Sequence, residues 1–254
     1  MKKEVIFLLV IGAILLISGC GLTGQATETG QKILDQATVA RVIDGDTIEL
    51  ASGETIRLLH INTPEKGEHC YAEAKARLAE LVLNRTLFLE RDMENKDRYN
   101  RSLRYIYLGD DSIESVNQMM VEEGFAVAYI LLPNTKYKNA FFEAEKSAIS
   151  EKAGCLWQNQ SKLYNCLQVI ELKTCNEGDY ALLKNNCDDI NLDGWSLRDQ
   201  SRSHYSLNGI IEEGASIRIT RDAWETTHEC IWSDYSNTLY IFDSNNSLVL
   251  RYGY

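Results

Sequence analysis

The sequence is poor in the residues and spacings that bind zinc. Its four histidines are scattered, and none of its seven cysteines form a C-x-x-C motif. His228 and Cys230 are close together, but structural zinc takes four ligands, so one such pair does not predict a zinc centre. The cysteines therefore need another explanation.

The sequence also lacks an excess of positive charge. It has 26 lysine and arginine residues against 37 aspartate and glutamate residues, which gives a net charge of −11. Proteins that bind polyanions usually present a basic face, so any such binding here must be local. Each candidate basic cluster has ordinary solvated surface as its alternative; the clusters are Lys75 with Arg77, Arg98 to Arg104, and Lys136 with Lys138.

The apolar run near the N-terminus, Val5 to Ile17, is shorter than the roughly 18 residues that a transmembrane helix needs. A short basic start precedes the run and small residues follow it, which is typical of a secretory signal. Residues 17–20 (ISGC) resemble a lipobox, so we expect residues 1–19 to be a signal peptide and Cys20 to be lipidated. The alternative is an uncleaved N-terminal anchor. Both predict a location outside the cytoplasm and on a membrane.

Two polar segments divide the rest of the chain. Residues 20–36 are rich in Gly, Thr and Gln and have no apolar periodicity, which predicts a flexible tether. A short polar segment, Gln158 to Lys162, marks a second boundary. The sequence therefore predicts two folded domains, residues 37–160 and 161–254.

The stretch from Arg41 to Glu65 (RVIDGDTIELASGETIRLLHINTPE) collects oxygen ligands. Asp46, the amide oxygen of Asn62 and the main-chain carbonyl of Thr63 offer three donors to a hard cation such as Ca²⁺. Asp44 lies on the same turn and would be in or just behind the first coordination shell. These residues predict a calcium site.

Two arginines and one glutamate complete this pattern. Arg57 ends a predicted strand, and Arg101 follows in the sequence DRYNR. Their guanidinium groups match phosphate oxygens in a bidentate way and would stabilise a charged transition state. Glu65 is the remaining acid and is suited to deprotonate an attacking water. The combination favours hydrolysis of a phosphodiester.

VIDGDT, RLLHINTPE and DRYNRSLRYIY resemble the motifs of the staphylococcal nuclease (thermonuclease-like) family, in order, over Ala37 to Trp157. The resemblance implies that Glu65 is the general base and that Arg57 and Arg101 are the transition-state arginines. It also implies that Tyr99 and Tyr129 line a nucleotide pocket. The calcium ligands that it implies are Asp46, Asn62 and Thr63.

Three positions depart from the family pattern. Asn62 replaces an aspartate, so calcium should bind more weakly, because affinity follows ligand charge. Asn100 replaces a glycine, which it can do because asparagine tolerates a left-handed backbone. Leu131 stands where a second pocket tyrosine is common.

The first domain is predicted to combine strands and helices. Five short strands are predicted at Thr38 to Ile43, Thr47 to Leu50, Thr55 to His60, Thr86 to Arg91 and Leu103 to Tyr107. A helix from Ala72 to Leu83 follows the third strand. A second runs from Asp111, where Glu114 completes a capping-box-like pattern, to Gly124, and a third from Tyr137 to Lys152. The order matches an OB-type five-stranded β-barrel with three helices, as the family resemblance also implies.

The second domain is predicted to be all-β. Its strands are Leu167 to Leu172, Tyr180 to Lys184, Trp195 to Arg198, Ser216 to Thr220, Thr238 to Phe242 and Leu248 to Tyr252. Their spacing favours an immunoglobulin-like β-sandwich. NLDGWSLRDQS and NTLYIFDSNNSLVLRYGY resemble the lamin tail domain, more loosely than the first domain resembles the nuclease. Such domains resemble binding modules, and the sequence does not select the ligand.

Once Cys20 is lipidated, six cysteines remain, and an even number in an exported protein predicts up to three disulfides. Cys70 follows the polar NTPE loop and Cys155 follows the last helix of the domain, so a bridge between them is expected. In the second domain, antiparallel pairing of the first two strands would bring Cys166 near Cys187. That would leave Cys175 for Cys230, as one of three possible connectivities.

We therefore expect a monomeric, membrane-anchored, calcium-dependent nuclease outside the cytoplasm, acting on DNA and RNA. The 5′ oxygen would be the leaving group, and the products would carry 3′-phosphates. The alternative is a nuclease-fold scaffold that binds nucleic acid or protein without cutting, for which Asn62 is the main reason. The presence of Arg57, Glu65 and Arg101 favours the enzyme. A third hypothesis gives the main function to the second domain, as an adhesin.

Overall fold

The protein is described by a computed structural model over residues 34–174, 178–201, 204–220, 232 and 238–253. No helix within these ranges is long and apolar enough to cross a membrane. The predicted signal peptide, the lipidation of Cys20 and nearly all of the tether lie outside the described residues.

The first half of the chain is a mixed α and β structure. Its elements are, in chain order, β1 (Asp35–Val42), β2 (Thr47–Leu50), β3 (Thr55–Leu58), β4 (Ile61–Asn62), α1 (Tyr71–Val82), β5 (Thr86–Glu90), β6 (Ser102–Tyr107), α2 (Val116–Glu122), β7 (Val127–Ala128), α3 (Lys138–Glu151) and α4 (Gly154–Trp157). The three predicted helices are present, and α4 is a short addition.

Five of these strands close a barrel in the order β1-β2-β3-β6-β5. Neighbouring strands are antiparallel except for β3 and β6, which are parallel. Inward side chains such as Val39, Ile48 and Ile56 are fully buried. Helix α1 adds its predicted apolar face to this core, with Ala74, Leu78, Leu81 and Val82 all buried. The closed barrel with its helices confirms the OB-type prediction.

The third strand ends earlier than predicted. β3 stops at Leu58, and His60 has a left-handed backbone with φ of 64°. Leu58, Leu59, His60 and Ile61 are all buried, whereas a strand exposes alternate side chains to opposite faces. The chain therefore leaves the barrel here and enters β4, which pairs with β7.

Helix α2 begins later than predicted, so the expected start at Asp111 is wrong. Ser115 is the N-cap, and its hydroxyl accepts a hydrogen bond from the Gln118 amide at 3.2 Å. Ser115 and Gln118 have the same capping-box spacing as Asp111 and Glu114. Ser115 is buried and Asp111 is exposed, so tertiary packing selects the later cap.

The second half of the chain contains only strands among its described residues. They are β8 (Leu167–Lys173), β9 (Tyr180–Asn185), β10 (Ile190–Asn191), β11 (Trp195–Asp199), β12 (His204–Leu207), β13 (Ile210–Ile211), β14 (Ser216–Thr220), β15 (Thr238–Phe242) and β16 (Leu248–Gly253). All six predicted strands are present. The sheets are β12-β11-β15-β16, β14-β9-β8 and β10-β13. The two larger sheets bury one shared core, which includes Leu183, Leu197 and Ile241. The immunoglobulin-like topology stays a prediction.

Two predicted disulfides are confirmed. Cys70 bonds to Cys155, and Cys166 bonds to Cys187. The second bond follows from the predicted antiparallel pairing of β8 with β9. The predicted Cys175–Cys230 bond lies outside the described residues.

The two halves of the chain share a buried apolar cluster. Trp157 of α4 stacks on Tyr240 of β15, with ring centroids 5.9 Å apart. Ile149 of α3 and Leu248 of β16 belong to the same cluster. This contact fixes the second half against the side of the first half that carries α3.

Candidate active site

The turn between β1 and β2 holds the two predicted acidic ligands. The Asp46 amide donates to the Asp44 carboxylate at 3.1 Å, which closes a tight Asx turn. Gly45 lies between them, and a Cβ there would be 2.7 Å from Thr63 Oγ1. The glycine therefore allows the turn to approach the Thr63 side chain directly.

The Asp46 carboxylate joins the predicted site residues. Its Oδ1 accepts a hydrogen bond from Thr47 Oγ1 at 2.9 Å. Its Oδ2 accepts from the Thr63 amide at 3.1 Å and from Thr63 Oγ1 at 3.2 Å. The same oxygen is 3.1 Å from Arg57 Nη2. Because Asp46 is buried, these contacts fix its orientation.

Arg57 lies next to the end of β3 and is nearly enclosed, with 11% of its side chain exposed. Its Nη1 donates to the Leu58 carbonyl at 2.6 Å, and its Nη2 donates to Asn62 Oδ1 at 3.2 Å. A guanidinium held at both ends loses little freedom when it meets a phosphate. Arg57 is thus pre-organised beside the acidic turn.

Asn62, in β4, contacts two parts of the chain through its side chain. Its Oδ1 faces Arg57, and its Nδ2 donates to the main-chain carbonyl of Gln200 at 3.4 Å. Gln200 follows β11 and is far from Asn62 in sequence. A contact from the second half of the chain therefore reaches a predicted calcium ligand.

Close acidic groups make this corner suited to a cation. Burial, followed by the nearby Asp46 carboxylate, raises the pKa of Asp44. A bound cation would offset both effects. The available donors are the carboxylates of Asp44 and Asp46, the Asn62 amide oxygen and the Thr63 carbonyl, all hard oxygens of the kind that calcium prefers. The described residues contain no group of three or more His, Cys, Asp or Glu that could hold a metal ion.

A second turn positions Arg101. The Asp97 carboxylate accepts hydrogen bonds from Arg101 Nε at 2.7 Å, from the Arg101 amide at 2.9 Å and from the Tyr99 amide at 3.0 Å. Partial burial opposes ionisation of Asp97, but the hydrogen bonds from Arg101 outweigh it and lower the pKa of Asp97. Asn100 has φ of 65°, the left-handed conformation expected of it. Asp97 thus contacts Arg101 through Nε and not through its Nη groups.

The two predicted nucleotide tyrosines have different surroundings. Tyr99 is 65% exposed, with the guanidinium carbon of Arg98 4.8 Å from its ring centre. An exposed ring beside a cation is suited to stack on a base. Tyr129 is half-buried, and this burial raises the pKa of its hydroxyl. Tyr129 and Leu131 line the same cavity.

One cavity of about 500 Å³ collects nearly all the predicted site residues. Glu65 lines it with an exposed side chain, and no described residue donates a hydrogen bond to its carboxylate. The other predicted residues that line it are Asp44, Asp46, Arg57, Asn62, Tyr99, Arg101 and Tyr129. Thr63 is not in the lining, but its amide and its hydroxyl donate hydrogen bonds to Asp46.

The sequence did not single out several residues of the lining. Asp97 and Arg98 belong to the DRYNR motif, so that motif could have identified them as site residues. Ser201 comes from the second half of the chain, and no local pattern marks it as a site residue.

Known proteins similar to this chain are nucleases. The family model described as "Staphylococcal nuclease homologue" matches residues 55–159. Endonuclease YncB of Bacillus subtilis is 37% identical over 153 residues, which are 56% of this chain and 71% of that protein. Thermonuclease of Staphylococcus intermedius is 36% identical over 129 residues, 47% of this chain and 74% of the relative. Thermonuclease of Staphylococcus hyicus is 32% identical over 165 residues, 60% of this chain and 95% of the relative.

The matched residues 55–159 include β3, β5 and β6 of the barrel and most of the residues that line the cavity. The motifs first noted in the sequence meet in that cavity, where they bring Arg57, Arg101 and Glu65 together. The chain therefore belongs to the staphylococcal nuclease family and is a nuclease.

Proposed function

We propose that this nuclease hydrolyses phosphodiester bonds of DNA and RNA, depends on Ca²⁺, and acts outside the cytoplasm from a membrane anchor at Cys20. The observation that carries the proposal is the single cavity in which Arg57, Glu65 and Arg101 meet the acidic turn. The membrane anchor rests on the lipobox-like sequence alone.

The roles follow from the contacts of each residue. Glu65 has a carboxylate without a described hydrogen-bond donor, so it is available to accept a proton from water. Arg57 and Arg101 bind phosphate oxygens and stabilise the charge that develops on them. Expulsion of the 5′ oxygen leaves a 3′-phosphate on the product.

The residues that would hold calcium are Asp46, Asn62, Thr63 and Asp44. Calcium held there would supply positive charge to polarise the phosphate and offset its charge. Asn62 brings no negative charge, so we expect weaker calcium binding than an aspartate would give. Asp46 keeps its place through hydrogen bonds from Thr47 and Thr63.

Two aromatic residues would position the nucleotide. Tyr99 offers an exposed face for base stacking next to Arg98. Tyr129 directly follows β7 and lines the same cavity. Its amide donates to the His60 carbonyl at 2.9 Å. The strongly acidic chain thus relies on local positive charge at Arg57, Arg98 and Arg101.

We also propose that residues 161–254 form an immunoglobulin-like, lamin-tail-type module that binds a ligand of its own in a monomeric protein. Two sheets that bury one common core support the sandwich. Removing this half and measuring adhesion to cells or envelope polymers tests the binding role.

The first test is cleavage of labelled single-stranded DNA by the chain from Gly21 onward, with calcium titrated upward from EDTA. Glu65→Gln should lower kcat by about 10²-fold or more, because the proton acceptor is lost. Glu73→Gln is the matched control, since Glu73 is an exposed acid on α1 outside the cavity.

The outcomes separate the two hypotheses. Calcium-dependent cleavage that Glu65→Gln abolishes and Glu73→Gln retains supports the enzyme. Retained nucleic-acid binding without cleavage at any calcium concentration favours the scaffold and points to Asn62 as the residue that impairs the calcium site. Repeating the assay with RNA tests the second substrate.

A further inference from the structure

The catalytic cavity is not built by the barrel half of the chain alone. Its lining residues lie between Asp44 and Leu131, with the exception of Ser201. Ser201 belongs to the turn that follows β11, within the second half of the chain. The residue beside it, Gln200, contacts Asn62 through its main-chain carbonyl. We call residues 199–201 the capping turn.

The neighbours of the Asn62 side chain determine which way its amide oxygen and amide nitrogen point. A guanidinium only donates hydrogen bonds, and a main-chain carbonyl only accepts them. Arg57 therefore selects the amide oxygen, and the Gln200 carbonyl selects the amide nitrogen. Asparagine satisfies both neighbours at once. An aspartate would place a carboxylate oxygen against the Gln200 carbonyl.

The capping turn is held by its own contacts. Asp199 is buried, and both of its carboxylate oxygens lie 2.8 Å from the Ser201 hydroxyl, which donates to them. Asp199 also pairs with Leu239 of β15 at the end of the strand ladder. These contacts give the Gln200 carbonyl a defined direction.

The strand that carries Asn62 is connected to the same sheet by a second route. β4 pairs with β7, and the Ala128 amide of β7 donates to buried Glu145 at 3.0 Å. Glu145 also accepts hydrogen bonds from the Tyr240 hydroxyl at 2.6 Å and from Arg251 Nε at 2.8 Å. Tyr240 and Arg251 lie on β15 and β16. Asn62 and the capping turn are therefore both connected to the sheet that contains β15 and β16.

We infer that Gln200 is a positioning residue of the nuclease site, because its main-chain carbonyl holds the Asn62 amide with the oxygen directed to Arg57 and the acidic turn. This inference rests on the proposed function, in which Asn62 is a calcium ligand. It makes the second half of the chain part of the metal site and explains why an asparagine serves at position 62.

The test compares calcium affinity in four full-length chains. One change replaces residues 199–203 by Asn-Gly, a two-residue hairpin turn that keeps the pairing of Arg198 with His204. The other change is Asn62→Asp. A carboxylate has two equivalent oxygens and needs no partner to orient it, whereas an amide does. Calorimetric titration with CaCl₂ alone gives the Kd of each chain.

In the chain that keeps Asn62, the shortened turn should weaken calcium binding by about 10-fold. This is the lower end of the effect of removing a group that orients a metal ligand, as suits a hydrogen bond of 3.4 Å. In the chain that carries Asn62→Asp, the same shortening should not weaken calcium binding, because it also removes the Gln200 carbonyl that would face the carboxylate. A general loss of structure would instead weaken both chains equally, and that result overturns the inference.

Failure of the proposed calcium site and failure of the inference about Gln200 give different results. If the parent chain binds no calcium, the proposed metal role fails and the inference fails with it. If the parent binds calcium and the shortened turn leaves its Kd unchanged, only the inference fails. If the shortened chain does not fold, Gln200→Gly replaces it, since glycine loosens the turn at constant length. Its calcium Kd should rise less, but with the same dependence on the residue at position 62; an unchanged Kd contradicts the inference.

Discussion

Single residues set the geometry of the acidic corner, and Gly45 shows how little space they leave. An added Cβ would lie 2.7 Å from Thr63 Oγ1 and 2.9 Å from Thr63 Cβ and Cγ2. Real Cβ atoms do not approach so closely, so Thr63 would have to move. Thr63 donates two hydrogen bonds to Asp46, and a shift there displaces the carboxylate.

Gly45→Ala should therefore lower kcat/KM by about 10²-fold and the free energy of unfolding by about 1–3 kcal/mol. Steady-state kinetics and urea unfolding measure the two effects. Gly53→Ala is the control: its Cβ meets no atom within 4 Å, but φ of +87° costs about 1–2 kcal/mol of strain. If both variants keep full activity, the close approach has no catalytic importance.

His60 predicts a pH dependence of stability. It is 1% exposed, its Nε2 is 2.8 Å from the Tyr105 hydroxyl, and its Nδ1 has no partner among the described residues. Burial lowers its pKa to about 4, although the Asp92 carboxylate acts in the opposite direction. The folded protein therefore holds His60 neutral at pH values where the unfolded chain binds a proton.

Above the unfolded pKa of 6.5, His60 is neutral in both states and has no effect on stability. As the pH falls from 6.5 to about 4, the unfolded state gains the proton, so the free energy of unfolding decreases by about 3 kcal/mol in total. His60→Asn should remove this slope, because asparagine does not titrate and tolerates a positive φ. Urea unfolding at several pH values measures it; an equal slope in both proteins would assign the pH effect elsewhere.

At the scale of elements, the turn between β5 and β6 positions Arg101, one of the arginines that line the cavity. A single carboxylate, Asp97, organises it by accepting hydrogen bonds from the Arg101 side chain and from the amides of Tyr99 and Arg101. The left-handed Asn100 completes the turn. This arrangement makes Arg101 dependent on a residue that need not touch the substrate.

Asp97→Asn removes the charge that holds Arg101 Nε. We expect kcat to fall by about 10-fold and the free energy of unfolding to fall by about 1–2 kcal/mol, since hydrogen bonds to charged groups are worth about that much. Asp110→Asn is the matched control, because Asp110 lies outside the cavity. Equal kinetics in the two variants would show that the turn positions Arg101 without Asp97.

At the scale of the whole molecule, a buried ion pair joins the two halves. Glu145 of α3 is fully buried and lies 2.6 Å from Arg251 Nη2 of β16. The same carboxylate accepts hydrogen bonds from the Tyr240 hydroxyl and the Ala128 amide. Removing one partner leaves a buried charge without compensation.

Arg251→Met should reduce the free energy of unfolding by about 3–5 kcal/mol. Adding Glu145→Gln should recover part of that loss, because the uncompensated charge is then gone. Lys146→Gln is the control, as it breaks an exposed pair with Glu143 at 3.8 Å and should change stability by less than about 0.5 kcal/mol. Urea unfolding is measured for the parent, Arg251→Met, Glu145→Gln, the double variant and Lys146→Gln; additive losses in the double variant would argue against coupling between Glu145 and Arg251.

Local sequence pattern was enough to predict a large part of this protein. Residue alternation and turn residues were sufficient to predict the five barrel strands, the buried face of α1 and six of the nine described strands of the second half. Ordered motifs were sufficient to identify six residues of the cavity lining, which are Asp44, Asp46, Arg57, Asn62, Glu65 and Arg101. The Cys166–Cys187 bond followed from one predicted strand pairing.

The features that join distant segments became visible only in the folded protein. The start of α2 at Ser115 depends on burial, which two equally spaced capping patterns do not reveal. The contact of Asn62 with Gln200 and the pair of Glu145 with Arg251 each join residues more than a hundred positions apart. Such contacts arise when the packed halves bring these segments together, and no local propensity encodes them. For that reason the sequence predicted a catalytic domain with a separate accessory domain, whereas in the structure the second half contributes Ser201 to the lining of the cavity.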